Sequence, residues 1–357
     1  MVSALLIQGS ASHLPLADES VQCVVTSPPY WGLRQYAGEQ GVTWADGTSH
    51  PLGLEPTPDL FITHMVEVFR EVRRVLRKDG TVWLNIGDSY VASRSGPIGD
   101  FSTLDGGQSS QKASRQAVVD ARPSHLRPHS RWHFEPWGLK PKDLVLIPQR
   151  VAIALQADGW YVRAEVIWHK PNPMPESVND RPTKAHEQVW LLTKSGRYYY
   201  DADAIKEPAS WNTHARKARV RDDHKSNPTA ERNGIRAAGV GPKASAAGSG
   251  VRYNESFSAA VTDAVEDRNK RTVWSIPTRP YPGAHFATYP EQLVEPCILA
   301  GSKAGDVVLD PFNGSGTTGR VAVRHGRSYV GLDISAEYLH EQATKRIDNV
   351  QHVMGGL

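Results

Sequence analysis

An apolar run, Val307-Val308-Leu309, leads into Asp310-Pro311-Phe312-Asn313-Gly314-Ser315-Gly316-Thr317-Thr318-Gly319 and then into a segment with helical spacing up to His325. A strand that feeds a glycine-rich turn and a helix is a unit of an open α/β sheet, with a ligand at the strand's carboxyl end. The glycines spell G-x-G-x-x-G, so a nicotinamide dinucleotide is the first rival ligand. Two acids argue against it. Asp310 stands before the glycines, where an amino-acid ammonium can be held. The next strand, Ser328 to Asp333, delivers its acid sooner after the last glycine, Gly319, than the roughly 20-residue interval expected for a dinucleotide. Asp333 at a strand end still suits ribose hydroxyls. A ligand with both an amino-acid end and a ribose is S-adenosylmethionine.

A second strand carries a different chemistry. Val21-Gln22-Cys23-Val24-Val25 reads as a buried parallel strand, and Thr26-Ser27-Pro28-Pro29-Tyr30-Trp31 follows it. Pro28 and Pro29 fix φ and carry no N–H, so the chain leaves the sheet in a stiff, extended turn. Such a turn can hold the Ser27 hydroxyl, a main-chain carbonyl near Pro28 and the Tyr30 ring face toward one spot. Two acceptors and a flat apolar face suit the exocyclic amine of a nucleobase. The lone pair of that amine is conjugated into its ring. Drawing its two N–H bonds to Ser27 and the carbonyl lets the nitrogen pyramidalise and localises the pair. Stacking on Tyr30 is worth about 1–3 kcal/mol, and the remaining work is positioning. Taken alone, Ser-Pro-Pro-Tyr is equally a polyproline turn.

The two motifs in this order resemble the amino-methylating DNA methyltransferases of the permuted, or beta, arrangement. There an Asp, Asn or Ser followed by Pro-Pro and an aromatic residue comes first, and the cofactor loop lies near the C-terminus. The resemblance implies an α/β fold, with a mostly parallel, doubly wound, Rossmann-like sheet in circularly permuted motif order and polar insertions for target recognition. It implies S-adenosylmethionine as cofactor and double-stranded DNA as partner, with the target base flipped out. It assigns catalysis to Ser27, Pro28, Pro29 and Tyr30. Cofactor contacts fall to Asp310, Pro311, Phe312, Gly314, Gly316, Thr317, Thr318 and Asp333, with Thr288 and Pro290 ahead of the preceding helix. Trp31, Arg34, Trp168 and Lys170 are candidates for the base pocket or DNA, Trp168 being equally a core residue. Ser at the first motif position is commoner among cytosine-N4 members, which favours cytosine N4 over adenine N6. Gly9-Ser10 departs from the family's Gly-Asp and leaves the adenine contact open. RNA or a protein amide is the alternative substrate, and a silent DNA-binding relic the alternative class.

The resemblance and the composition shifts divide the chain into residues 1–92, the catalytic half; 93–137, a mobile polar insertion; 138–205, the remainder of that half; 206–268, a basic target-recognition insertion; and 269–357, the cofactor half. Local patterns place a strand at Ala4–Gln8 and a helix from an Asp59 cap to a Gly80 stop. A strand follows over Thr81–Gly87, with Asp88 at its end as base contact or helix cap. A helix from Lys142 closes at Gly159, and a strand spans Tyr161–His169. Another spans Gln188–Thr193 with a hairpin return over Gly196–Tyr200, and a helix runs from Pro290 to Ala300.

Lysine and arginine number 41 against 38 acids, a net charge of +3, so any nucleic-acid face must be local. The richest basic stretch holds Arg216, Lys217, Arg219, Arg221, Lys225, Arg232 and Arg236. Cys23 and Cys297 give neither a disulfide framework nor a zinc spacing. His186-Glu187 has no further ligand at a metal spacing, and no metal is required. Pro296-Cys297 mimics the nucleophile of cytosine-C5 enzymes, but it lies in an apolar helix upstream of the loop and reads as a buried structural cysteine. No signal peptide or membrane-length apolar run is present, so the expectation is a soluble, cytoplasmic, nucleoid-associated protein with no membrane partner. The recognition sequence and oligomeric state stay open, a homodimer included.

Overall fold

The computed structural model describes residues 2–32, 42–91, 138–209, 267–278 and 288–348. Arg34, the 93–137 insertion and nearly all of the basic 206–268 segment lie outside the described residues. In chain order the strands are β1 Ala4–Gln8, β2 Val21–Thr26, β3 Val42–Thr43, β4 Ser49–His50, β5 Leu76–Ile86, β6 Tyr161–His169, β7 His186–Thr193, β8 Glu207–Pro208, β9 Asp267–Arg268, β10 Val273–Ser275, β11 Val307–Asp310 and β12 Ser328–Asp333. The helices are α1 Pro58–Val75, α2 Ile147–Ala157, α3 Glu291–Gly301 and α4 Thr317–Arg324, with a π-helical turn at Tyr338–Ala343.

Eight strands form one sheet in the order β1-β12-β11-β2-β5-β7-β6-β10. Neighbours are parallel except around β7, which runs antiparallel to both β5 and β6. β11 lies beside β2, with Val308 opposite Cys23 and Leu309 opposite Val24. The order of connection reverses at this pair, because β5 continues to one side and β12 to the other. The carboxyl ends of strands at such a switch point open a ligand crevice. Both motifs found in the sequence emerge there.

The sheet is covered on both faces, as the burial of all six β2 residues requires. Successive side chains point to opposite faces. Val24 packs with Phe61, Met65 and Phe69 of α1 and Leu155 of α2. Cys23 and Val25 pack with Leu293 and Ile298 of α3 and Val321 of α4. The result is a doubly wound α/β layer structure. The chain divides into two compact units, residues 1–205 with 271–357, and residues 206–270. The described part of the second is an antiparallel ribbon of β8 and β9, in which Arg268 Nε donates to Glu207 Oε1 at 2.9 Å. Among the described residues no helix is long and apolar enough to cross a membrane.

Several local expectations are corrected. Thr57, not Asp59, caps α1, its hydroxyl accepting from Leu60 N at 3.1 Å. Gly80 lies inside β5, which starts at Leu76, so it does not stop the helix. A Cβ on Gly80 would stand 2.7 Å from the Leu76 side chain and 2.9 Å from Gln22 O. α2 begins at Ile147 rather than Lys142, because Leu146 is left-handed at φ 63° and Asp88 Oδ1 accepts from Ile147 N at 3.0 Å. Ile153 of this helix is 66% exposed and lies outside the core. Gly196–Tyr200 forms no strand, since β7 already has a partner on each edge. Tyr199 N donates to Asp79 O instead.

Candidate active site

Ser27 to Trp31 leaves β2 at the carboxyl edge of the sheet. Tyr30 lies with its ring against Gly87, just past β5, where a Cβ would stand 2.5 and 2.7 Å from two ring carbons. The Tyr30 hydroxyl donates to Glu187 Oε2 at 2.9 Å and receives the Ser27 hydroxyl at 3.3 Å. Asn85 Nδ2 donates to the same Glu187 oxygen at 3.2 Å. Lys170 Nζ bonds Glu187 Oε1 and stands 4.3 Å from the centre of the Trp168 ring. Burial opposes ionisation of Glu187, but the Lys170 charge and the bonds from Lys170, Tyr30 and Asn85 outweigh it and hold the carboxyl below its usual range.

Behind the turn, Trp31 Nε1 donates to Glu55 O at 3.0 Å and Gly32 N to Gly53 O at 2.8 Å. Glu55 is itself buried, with Oε2 accepting from Gly53 N at 2.8 Å and Oε1 facing His64 Nδ1 at 2.9 Å. The imidazole stacks on Trp44, centroids 4.1 Å apart. Trp31 therefore ties the turn to the loop before α1. Trp168 is a core residue rather than a pocket wall, 3% exposed and donating to Ile276 O at 2.8 Å. Asp88 serves as the cap of α2, and among the described residues its Oδ2 and Lys184 Nζ are buried without a hydrogen-bond partner.

At the cofactor end Asp310 is 1% exposed. Its Oδ1 accepts from the Thr26 hydroxyl at 2.6 Å and Phe312 N at 3.1 Å. Its Oδ2 accepts from the hydroxyls of Thr318 at 2.8 Å and Tyr289 at 3.0 Å. These bonds hold the loop to β2, the Tyr289 and Thr318 hydroxyls also meet each other, and burial pushes the Asp310 carboxyl upward. Asp333 differs. Each of its oxygens accepts one backbone N–H, from Gly314 at 2.7 Å and Ser335 at 2.9 Å, which leaves acceptor capacity for a ribose diol.

Gly316 precedes α4 at φ 76°, a conformation glycine adopts freely. A Cβ on Gly319 would stand 2.5 Å from the Tyr329 ring and 2.6 Å from Ile347, so α4 packs flush against β12. Ser315 and Thr317 turn their hydroxyls to Arg346, both at 2.9 Å. Pro311 is buried, and Phe312 packs against the core on the α1 side. Thr288 and Pro290 flank the side chain that enters this network, Tyr289. The sequence reading passes over Tyr289, Asn85 and Gly87, and weighs Glu187 only in a metal or acid–base role that it sets aside; an aromatic hydroxyl beside Pro290 was the one signal on offer. Among the described residues no cluster of histidine, cysteine or acids is arranged to hold a metal. Cys297 is 1% exposed within α3, its thiol facing Leu293 O at 3.3 Å.

A glycine loop after one central strand and an acceptor-lined turn after its parallel neighbour define an S-adenosylmethionine-dependent methyltransferase sheet, and the acceptor capacity left on Asp333 suits that cofactor's ribose. Comparison with known proteins narrows the class. A family model described as DNA methylase, of the N6/N4 type, matches residues 21–345. The type II methyltransferase M.Cfr9I of Citrobacter freundii is 39% identical over 338 residues, covering 94% of this chain and 85% of its own. M.SmaI of Serratia marcescens is 40% identical over 323 residues, covering 90% and 83%. The PvuII DNA methyltransferase, described as cytosine-N4-specific, shares the fold at a TM-score of 0.54 and 15% identity, over 100% of this chain and 94% of that one. So does a candidate DNA modification methylase of Thermus thermophilus complexed with S-adenosyl-L-methionine, at 0.51 and 21%, over 98% and 94%. The chain belongs to the N6/N4 DNA methylase family. It is a DNA amino-methyltransferase that uses S-adenosylmethionine.

Proposed function

We propose that the enzyme methylates the N4 amine of a cytosine flipped out of duplex DNA, with Ser27, Pro28, Pro29 and Tyr30 as its catalytic residues. The observation that carries the choice of base is Ser27 at the first position of the motif, the residue commoner among cytosine-N4 members of this family. S-adenosylmethionine supplies an electrophilic methyl group on a positively charged sulfur. Asp333 would hold its ribose hydroxyls and the backbone around Gly314 its amino-acid end, while Asp310, Tyr289 and Thr318 keep that loop against β2.

The chain's own part is placement. Ser27 Oγ accepts one N–H of the amine and a main-chain carbonyl near Pro28 accepts the other, which frees the nitrogen lone pair for in-line attack. The Tyr30 ring, fixed by Gly87 on one face and by its bound hydroxyl, sets the plane of the base. Extruding the base costs a few kcal/mol, and stacking on Tyr30 offsets about 1–3 kcal/mol of it. We assign target recognition to residues 206–268, where the excess of Arg and Lys suits phosphates. A DNA substrate supports a cytoplasmic, nucleoid-associated location.

The test is Ser27→Ala, assayed for methyl transfer to duplex DNA beside calorimetric cofactor binding. Loss of an acceptor used in the transition state predicts a fall in rate of about 10²–10³, with cofactor affinity kept. Unchanged transfer by Ser27→Ala would sink the assignment.

A further inference from the structure

Glu187 reaches the catalytic turn from the far side of β5. Its place follows from register: Trp168 of β6 lies opposite it, and Gln188, the next residue of β7, lies opposite Ile86 of β5. The carboxylate is 17% exposed, and three different elements supply its donors. These are Tyr30 from the turn, Asn85 from β5 and Lys170 from the end of β6.

The donors fix a direction. An ionised carboxylate only accepts, and a hydroxyl has one hydrogen to give. Tyr30 gives its hydrogen to Glu187 Oε2 at 2.9 Å, the shorter and charge-assisted option, rather than to Asn85 Oδ1 at 3.3 Å. The phenol oxygen then turns its lone pairs toward Ser27, which donates to it at 3.3 Å. With its one hydrogen committed, Ser27 Oγ meets a substrate amine only as an acceptor. A neutral Glu187 can donate to Tyr30 and reverse the chain. Ser27 would then point its hydrogen at the amine nitrogen and occupy the lone pair that must attack.

We propose that Glu187 is a positioning residue that orients the Tyr30 and Ser27 hydroxyls in series, so that Ser27 presents lone pairs to the target amine. The inference rests on the reading of Ser27 as that acceptor. Lys170 keeps the carboxylate charged, and its ammonium stands over the Trp168 ring. Among the described residues, the other charged or titratable groups facing Glu187 are Lys184, His186 and Tyr30, while β5 presents the neutral Asn85.

The experiment measures kcat and KM on duplex DNA across pH for the wild type and for Glu187→Gln, Lys170→Met, Tyr30→Phe, Ser27→Ala and the Glu187→Gln/Tyr30→Phe double variant. Cofactor affinity serves as the check on folding. Glu187→Gln should lower kcat about tenfold to hundredfold, the worth of one charge-assisted bond, with KM for DNA and cofactor affinity kept. Its loss should vanish in the Tyr30→Phe background, because the effect runs through that hydroxyl. The wild-type kcat should fall on acidification as Glu187 gains a proton. Lys170→Met, by removing the cation that holds the carboxyl low, should move that acid limb to higher pH. The pH limb and Lys170→Met remain decisive if Glu187→Gln fails to fold. Equal kcat for Glu187→Gln and wild type, additive losses in the double variant, or an acid limb that Lys170→Met leaves in place would overturn the proposal. Full activity of Ser27→Ala would instead remove the reading on which it rests.

Discussion

The Thr26 hydroxyl donates to Asp310 Oδ1 at 2.6 Å across 284 positions of sequence. This bond joins the last residue of β2 to the last residue of β11, so the catalytic turn and the cofactor loop start from one shared point. Thr26→Val keeps the shape and leaves a buried carboxylate short of one donor. The expected cost is about 1–3 kcal/mol, read as a lower denaturant midpoint with an unchanged slope. Cofactor affinity should fall with it.

Gly87 makes room for the Tyr30 ring. Gly87→Ala places a methyl 2.5 Å from a ring carbon, so the Tyr30 ring must shift. Methyl transfer should drop by about tenfold or more, since a misplacement near 1 Å can cost 10²-fold. Cofactor binding, measured by calorimetry, should stay as in the wild type, because the loop after β11 is untouched.

Asp333 is the residue left with acceptor capacity for a diol. Asp333→Ala removes that capacity together with the partner of Gly314 N. The cofactor dissociation constant should rise by about tenfold or more, in line with 1.4 kcal/mol per decade, while Ser27→Ala leaves it alone. Equal cofactor affinity in wild type and Asp333→Ala would contradict the assignment.

Neither cysteine takes part. Cys297→Ala should retain full methyl transfer, as expected where no covalent intermediate forms on the base. Burial pushes the Cys23 thiol up to about 12, so both thiols should resist alkylation in the folded protein and react only after denaturation.

Much of this was legible from the residues because it depends on local pattern. β1 and β12 are largely apolar runs bounded by polar or turn residues, and β6 alternates before its apolar Val166-Ile167-Trp168 end. The two motifs declared the carboxyl edge because prolines and glycines act on their own backbone. Long-range partners were not legible. Gly80 carries an ordinary stop signal, yet the pairing of Leu76 with Val21 decides where α1 ends; the start at Thr57 is local, a cap two residues ahead of the Asp59 signal. The hairpin over Gly196–Tyr200 failed because the filled edges of β7 are a property of the sheet. Asp310 has the residue type of an ammonium ligand, and only packing reveals its bonds to Thr26, Tyr289 and Thr318. Glu187 carried no role in the sequence once a metal was set aside, because only the pairing of β7 with β5 brings it to Tyr30.

The measurement that bears most directly on the central claim is nucleoside mass spectrometry of duplex DNA treated with the enzyme and S-adenosylmethionine. N4-methylcytosine, absent from the Ser27→Ala reaction, is the predicted product. N6-methyladenine would contradict the choice of base, and no methylated nucleoside on varied duplex sequences would contradict the site.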